Sequence, residues 1–120
     1  MAIAFPATAG AKSTGTADLA FSLGPTCTAG GSATYTWAHW ASDQPRQVEL
    51  YVFDETDNGS QVAGVVEPAK ASGTVSVTFD EINGHQYQAE GSLFRLIHGT
   101  LRQPIADSNR LSQVITASCT

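Results

Sequence analysis

The stretch that decides the fold is Gly73–Leu96, which reads GTVSVTFDEINGHQYQAEGSLFRL. Its first part alternates valine with threonine and serine up to Phe79, and this period of two is typical of a β-strand with one buried face. An Asn83-Gly84 step follows, and a second run opens at Tyr87. Asn-Gly steps between such runs mark tight turns. The stretch therefore predicts two strands of an antiparallel sheet joined at a corner.

Similar alternation and turn signals along the rest of the chain predict about seven strands and no helix. The predicted strands are Asp18–Leu23, Ser32–Ala41, Gln47–Asp54, Gln61–Val66, Thr74–Phe79, Gln86–Leu96 and Leu111–Ser118. Asp57–Ser60 predicts a hairpin turn with positive φ, Pro68 predicts a strand end, and a loop is expected through Gly99, Pro104 and Asn109.

This pattern predicts an all-β fold, a single antiparallel β-sandwich of about seven strands. We expect the sandwich to span residues 17–120. The residues before it, 1–16, are mostly Ala, Gly, Ser and Thr, with only Ile3 and Phe5 as bulky apolar side chains. So few apolar groups cannot form a core, and the segment is expected to be an extended N-terminal arm.

Composition narrows the classes of partner. Charged residues make up 14% of the chain, against about 25% in a typical domain, so much of the surface is neutral and suited to contact with other protein. The net charge of -5 and six scattered Lys and Arg residues argue against nucleic acid. No apolar run approaches the ~20 residues of a membrane span, and the start lacks a signal peptide's basic and apolar regions. We therefore expect that the protein is made in a cytoplasm and that it does not insert into a membrane.

The two cysteines, Cys27 and Cys119, are too far apart in sequence for a zinc or thioredoxin-type pair. The alternation of Ile115, Ala117 and Cys119 favours a small buried thiol in the last predicted strand. The alternative is a disulfide, which requires both cysteines at the same end of the sandwich.

Trp37, Tyr51 fourteen residues later, and the run Ile82–Ala89 (INGHQYQA) together resemble a fibronectin type III domain. The resemblance implies that Trp37 packs in the core. It also implies that Tyr87 folds back onto the backbone at the corner near Ile82. Gly84 stands where the family has a corner proline. The expected fold-defining core therefore consists of Trp37, Phe79 and Tyr87.

No residue set predicts chemistry. His39, His85 and His98 lie on separate predicted elements, and no serine or cysteine stands in a nucleophile-elbow context. Two acidic turns, Asp54–Asn58 and Asp80–Asn83, match no calcium loop and are expected to be solvated. Asn58-Gly59-Ser60 fits a glycosylation sequon but is more simply a turn. We expect no catalysis, cofactor or metal.

The remaining aromatic residues suggest a contact surface. Trp40, Tyr51 and Phe53 fall out of phase with the expected core, so they predict an apolar patch. With Ile3 and Phe5 of the arm they form the predicted interface. Alternatively, the arm or the first strand covers the patch.

An adhesion-type sandwich without a signal peptide predicts a structural virion component, such as a phage capsid decoration, cement, fibre or tail-surface protein. It would be made in the host cytoplasm and would dock on capsid or tail subunits, or on its own copies. The alternative is an extracellular module that binds carbohydrate or a cell surface, with Trp40, Tyr51 or Phe53 stacking on sugar rings.

Overall fold

The computed structural model describes residues 15–41 and 46–120. These residues form nine strands and a short 3₁₀ helix, Glu55–Asp57. The strands are β1 (Thr16–Ser22), β2 (Gly31–Ala38), β3 (Arg46–Asp54), β4 (Ser60–Ala69), β5 (Gly73–Phe79), β6 (Gln86–Ile97), β7 (Leu101–Pro104), β8 (Arg110–Leu111) and β9 (Ile115–Thr116). β1 starts at the last residue of the predicted arm, and residues 1–14 lie outside the described part of the chain.

The strands form two antiparallel sheets. The smaller sheet has the order β1-β2-β5, and the larger has the order β4-β3-β6-β7, with β8 and β9 also paired to β6. The two sheets share one apolar core, which confirms the predicted all-β sandwich. Nine strands replace the predicted number of about seven.

The core consists of the inward residues of both sheets. Trp37, Phe79 and Tyr87, which the sequence assigned to the core, are all buried. The rings of Phe79 and Tyr87, one from each sheet, lie 5.4 Å apart between centroids. The residues that alternate along β3, namely Val48, Leu50 and Val52, are fully buried beneath them. Alternation therefore leaves the intervening side chains of β3 on the outer face.

The pairing along this edge of β6 is interrupted at two serine side chains, Ser108 of the predicted loop and Ser112 of the predicted last strand, which accept hydrogen bonds in place of backbone carbonyls. Between β7 and β8, the amide of Leu93 donates to Ser108 Oγ at 3.1 Å. Between β8 and β9, the amide of Ala89 donates to Ser112 Oγ at 2.9 Å. One strand predicted at Leu111–Ser118 and a predicted loop thus become three short strands along a single edge of β6.

The predicted strand end at Pro68 is also wrong, because β4 continues through it to Ala69. Pro68 pairs with Gln47 of β3. β4 is the last strand of its sheet, and an edge strand tolerates a residue that has no backbone N–H to donate. The predicted turn after β3 does adopt positive φ, at Asn58 and Gly59.

Cys119 is buried as expected, but the prediction that it is a free thiol is wrong, and the alternative of a disulfide is confirmed. Cys27, in the β1–β2 loop, forms a disulfide with Cys119 near the end of the chain. Backbone hydrogen bonds draw the two segments together: Cys27 N donates to Thr120 O at 3.1 Å, and Thr120 N donates to Pro25 O at 3.0 Å. The two segments therefore meet at one end of the sandwich, which is the condition that a disulfide requires.

The Tyr87 hydroxyl closes the corner between β5 and β6. It accepts a hydrogen bond of 2.8 Å from the backbone amide of Ile82, five residues earlier. We expect Tyr87→Phe to lower the free energy of unfolding by about 1–3 kcal/mol, because the amide would lose its partner. Urea unfolding monitored by circular dichroism measures the change. A loss within a few tenths of a kcal/mol would mean that this hydrogen bond does not hold the corner.

Candidate functional site

A cleft of about 410 Å³ lies on the outer face of the larger sheet. We call it the outer-face cleft. Glu49 and Tyr51 of β3 line it together with Glu90, Ser92 and Phe94 of β6 and Arg102 of β7. The register places Glu49 opposite Ser92 and Tyr51 opposite Glu90. Opposed residues of an antiparallel pair share a face, so three strands contribute to one cleft.

An ion pair between a buried carboxylate and a half-exposed arginine forms one end of the cleft. Glu49 is only 3% exposed. Arg102 binds both of its oxygens, through Nε at 2.6 Å and through Nη2 at 2.9 Å. Such two-pronged pairing fixes geometry as well as charge. The same guanidinium lies 4.4 Å from the centre of the Phe94 ring, a cation–π contact.

Two neighbours complete the shell of Glu49. The Tyr51 hydroxyl donates to Oε1 and Gln47 Nε2 donates to Oε2, each at 2.8 Å. Burial alone would raise the pKa of Glu49, but hydrogen bonds from Arg102, Tyr51 and Gln47 together with the charge of Arg102 outweigh it, so the pKa lies below 4.5. Burial and the neighbouring carboxylate raise the pKa of Tyr51. Glu49 is therefore an ionised anchor whose lone pairs are already occupied.

The other end of the cleft is organised by Asn109. Its Nδ2 donates to Glu90 Oε2 at 2.9 Å and to Ser92 Oγ at 2.6 Å. The preceding residue, Ser108, is 1% exposed, and its hydroxyl bonds to the Leu93 backbone. Ser108 O also accepts from the Tyr35 hydroxyl in the opposite sheet. Hydrogen bonds to buried residues of both sheets thus hold this part of the cleft in place.

The pH dependence of stability tests the Glu49 anchor. A carboxyl group with a lowered folded pKa stabilises the protein above its unfolded pKa, and this contribution is lost as pH falls through the folded value. We expect Glu49→Gln to lower the free energy of unfolding by about 2 kcal/mol at pH 7, and the gap to wild type to narrow below pH 4.5. Urea midpoints measured at several pH values report the gap.

The matched control for that experiment is Glu67→Gln, at an exposed position of β4. It should track wild type at every pH. A gap between wild type and Glu49→Gln that stays constant down to acid pH would show that ionisation of Glu49 does not support the fold.

The predicted interface residues separate in the structure. Tyr51 lines the outer-face cleft. Phe53 is half-buried beside it, with ring centroids 6.0 Å apart, but does not line the cleft. Ile3 and Phe5 lie outside the described residues.

Trp40 does not lie in an exposed patch, because its side chain is 1% exposed and belongs to the core. The strand ends at Ala38, and His39 adopts a left-handed φ of 65°. This turn cancels the alternation that would have pointed Trp40 outward. The indole Nε1 then donates to Thr16 O at 2.9 Å.

The acidic turns use their carboxylates to hold loops. Asp54 Oδ1 accepts from the amides of Thr56 and Asp57, and its Oδ2 lies 2.7 Å from His85 Nδ1. In the second turn, Asp80 and Glu81 accept from the amides of Ala29 and Gly24. Within residues 15–41 and 46–120, no group of His, Cys, Asp and Glu side chains is arranged to hold a metal ion. The described part of the chain also contains no helix that could cross a membrane.

No protein-family profile matches the chain, and no curated protein is similar to it. The geometry of the described residues therefore carries the functional argument.

Sequence reasoning missed most of the cleft. Glu49 and Glu90 read as the ordinary polar members of alternating strands, and Arg102 and Asn109 fell in a predicted loop. Only register joins them, since Arg102 reaches Glu49 across 53 residues. A lone glutamate flanked by Val48 and Leu50 in the most apolar strand was the one available signal.

Proposed function

We propose that the chain is a non-enzymatic structural protein of a virion surface, such as a phage capsid decoration, cement, fibre or tail-surface component, that docks on neighbouring subunits. The observation that carries the proposal is the open edge of β4. Strand addition to such an edge supplies main-chain hydrogen bonds and joins subunits without chemistry.

The β4 edge is long, and its middle is open among the described residues. The strand has ten residues, and within the described residues it pairs with β3 alone. Its one charged residue is Glu67, while Val62 and Val66 are 39% and 51% exposed. Proteins usually protect edges with lysine, proline, bulges or covering segments. In β4 the pairing with β3 skips Val62, and Pro68 lies near the end of the strand, so the open part runs from Ala63 to Glu67. Elsewhere β7, β8 and β9 cover β6, and Arg110 bonds to Ala17 O of β1.

The disulfide supports an oxidising destination, since such bonds persist outside the reducing cytoplasm. A virion protein that is released from its host by lysis reaches that environment. In this proposal the predicted arm, with Ile3 and Phe5, supplies a second contact to the neighbouring subunit.

We also propose that the domain is related to fibronectin type III domains. The strand order β1-β2-β5 facing β4-β3-β6-β7 supports this relation. The Tyr87 corner supports it as well, although that feature is shared by immunoglobulin-like sandwiches.

The docking proposal is tested with copies of the chain as the partner. We expect wild type to self-associate with rising concentration in light scattering, and Val62→Lys/Val66→Lys to remain monomeric because lysine blocks edge pairing. Val114→Lys, at a valine that is 47% exposed away from β4, is the matched control and should behave as wild type. A wild type that stays monomeric at every concentration, or a double variant that associates equally, contradicts self-pairing through β4.

A further inference from the structure

We propose that the outer-face cleft binds a neutral, hydroxyl-rich saccharide. This goes beyond docking through β4, because the cleft is built from β3, β6, β7 and the segment before β8. The unused polar groups of the cleft, its charge and its rings support this ligand.

Most of the polar groups in the cleft are hydrogen-bonded to one another. Both oxygens of Glu49 accept two hydrogen bonds each. Asn109 Nδ2 donates both of its hydrogens, to Glu90 and Ser92. These groups therefore hold the shape of the cleft and leave ligand recognition to others.

The unused groups include both acceptors and donors. Glu90 Oε1 and Asn109 Oδ1 accept no hydrogen bond from the described residues, and the Ser92 hydroxyl accepts from Asn109 but donates to none of them. Of the five N–H groups that a guanidinium carries, Arg102 uses two on Glu49. A sugar hydroxyl both donates and accepts, so a polyol satisfies such a mixed set.

The charge of the cleft argues against an anionic ligand. Arg102 neutralises Glu49 at 2.6 Å, which leaves the carboxylate of Glu90 as an excess negative charge. Phosphate, sulfate or an acidic sugar would meet that charge, and Arg102, the cation among the described residues that line the cleft, is already paired with Glu49. A simple cation would leave the donors of Ser92 and Arg102 unused. A neutral ligand avoids both penalties.

Size and rings fit a sugar as well. The volume of about 410 Å³ lies in the range of about 300–1,000 Å³ for small-molecule sites. Arg102 covers one face of Phe94. Tyr51, which is partly exposed and also lines the cleft, supplies a ring for packing on a sugar's C–H face. Its hydroxyl is fixed on Glu49 at 2.8 Å. The ring is therefore held in place before a ligand arrives, which lowers the cost of binding.

The test is binding of the full chain to glucan, galactan, mannan and chitin oligosaccharides, with a sialylated and a sulfated glycan for comparison. Calorimetry should detect a neutral oligosaccharide, and Tyr51→Ala and Glu90→Ala should each weaken it about tenfold or more. Glu67→Ala, which removes a carboxylate outside the cleft, is the matched control and should leave affinity unchanged. Thermal melts check that each variant is folded.

Three outcomes overturn the proposal: no binding of any neutral oligosaccharide, preference for the acidic glycans, or affinity that Tyr51→Ala and Glu90→Ala leave intact. The docking proposal fails separately. Val62→Lys/Val66→Lys should abolish self-association in light scattering but keep saccharide affinity. Glu90→Ala should weaken saccharide binding but keep self-association.

Discussion

Trp40→Ala is expected to lower the free energy of unfolding by about 4 kcal/mol, as truncation of a large buried ring does. Trp40 is 1% exposed, and its side chain and backbone contact two different segments. Its Nε1 donates to Thr16 O of β1 at 2.9 Å, and its backbone amide donates to Ala71 O before β5 at 3.0 Å. Removing the ring therefore opens a cavity and leaves the carbonyl of Thr16 without this donor.

Urea unfolding at neutral pH measures the loss. Phe53→Ala is the matched control, because that ring belongs to the same predicted patch but is only partly buried; we expect it to cost about 1 kcal/mol. If Trp40→Ala lowers the free energy of unfolding no more than Phe53→Ala does, the indole does not pack in the core, and the predicted exposed patch is supported instead. Trp40→Phe should recover part of the loss, since a ring again fills the space.

The alternation of apolar and polar residues predicted the strands whose faces it determines. The strands at Thr74–Phe79 and Gln86–Leu96 were expected within a residue or so of their bounds, because one face of each packs on the core. The prediction that Trp40 faces outward was wrong for an equally local reason. His39 has a left-handed backbone conformation, which turns the next side chain to the opposite face. A histidine carries no strong signal for positive φ, unlike the Asn58-Gly59 turn.

The cleft and the disulfide depend instead on contacts between distant residues. Ser108 and Ser112 end the regular pairing of the last segment by offering hydroxyls to the amides of Leu93 and Ala89. Serine is common in loops, so nothing local distinguishes these two. The segment they shape places Asn109 against Glu90. A candidate site of this kind emerges only once the register of β6 is known.

Removing the disulfide is the second large effect that we expect. Cys27 and Cys119 are separated by 92 residues, and a cross-link over a loop of that size stabilises a protein by about 4 kcal/mol, chiefly by restricting the unfolded chain. We therefore expect Cys27→Ala/Cys119→Ala to fold and to unfold at a clearly lower urea concentration. The remaining contacts of this end, such as Cys119 N to Asn83 Oδ1 at 3.0 Å, persist without the bond.

Reductant separates the cross-link from the packing of the sulfur atoms. Wild type should lose most of its advantage when reduced, whereas the double alanine variant should not respond. The dependence of stability on urea should also be steeper for the double variant, because its unfolded chain is less compact and exposes more surface. Equal midpoints for oxidised wild type and the double variant would contradict a stabilising role. A lower midpoint without a steeper slope would move the effect from the unfolded chain to native contacts around Cys119, which is 7% exposed.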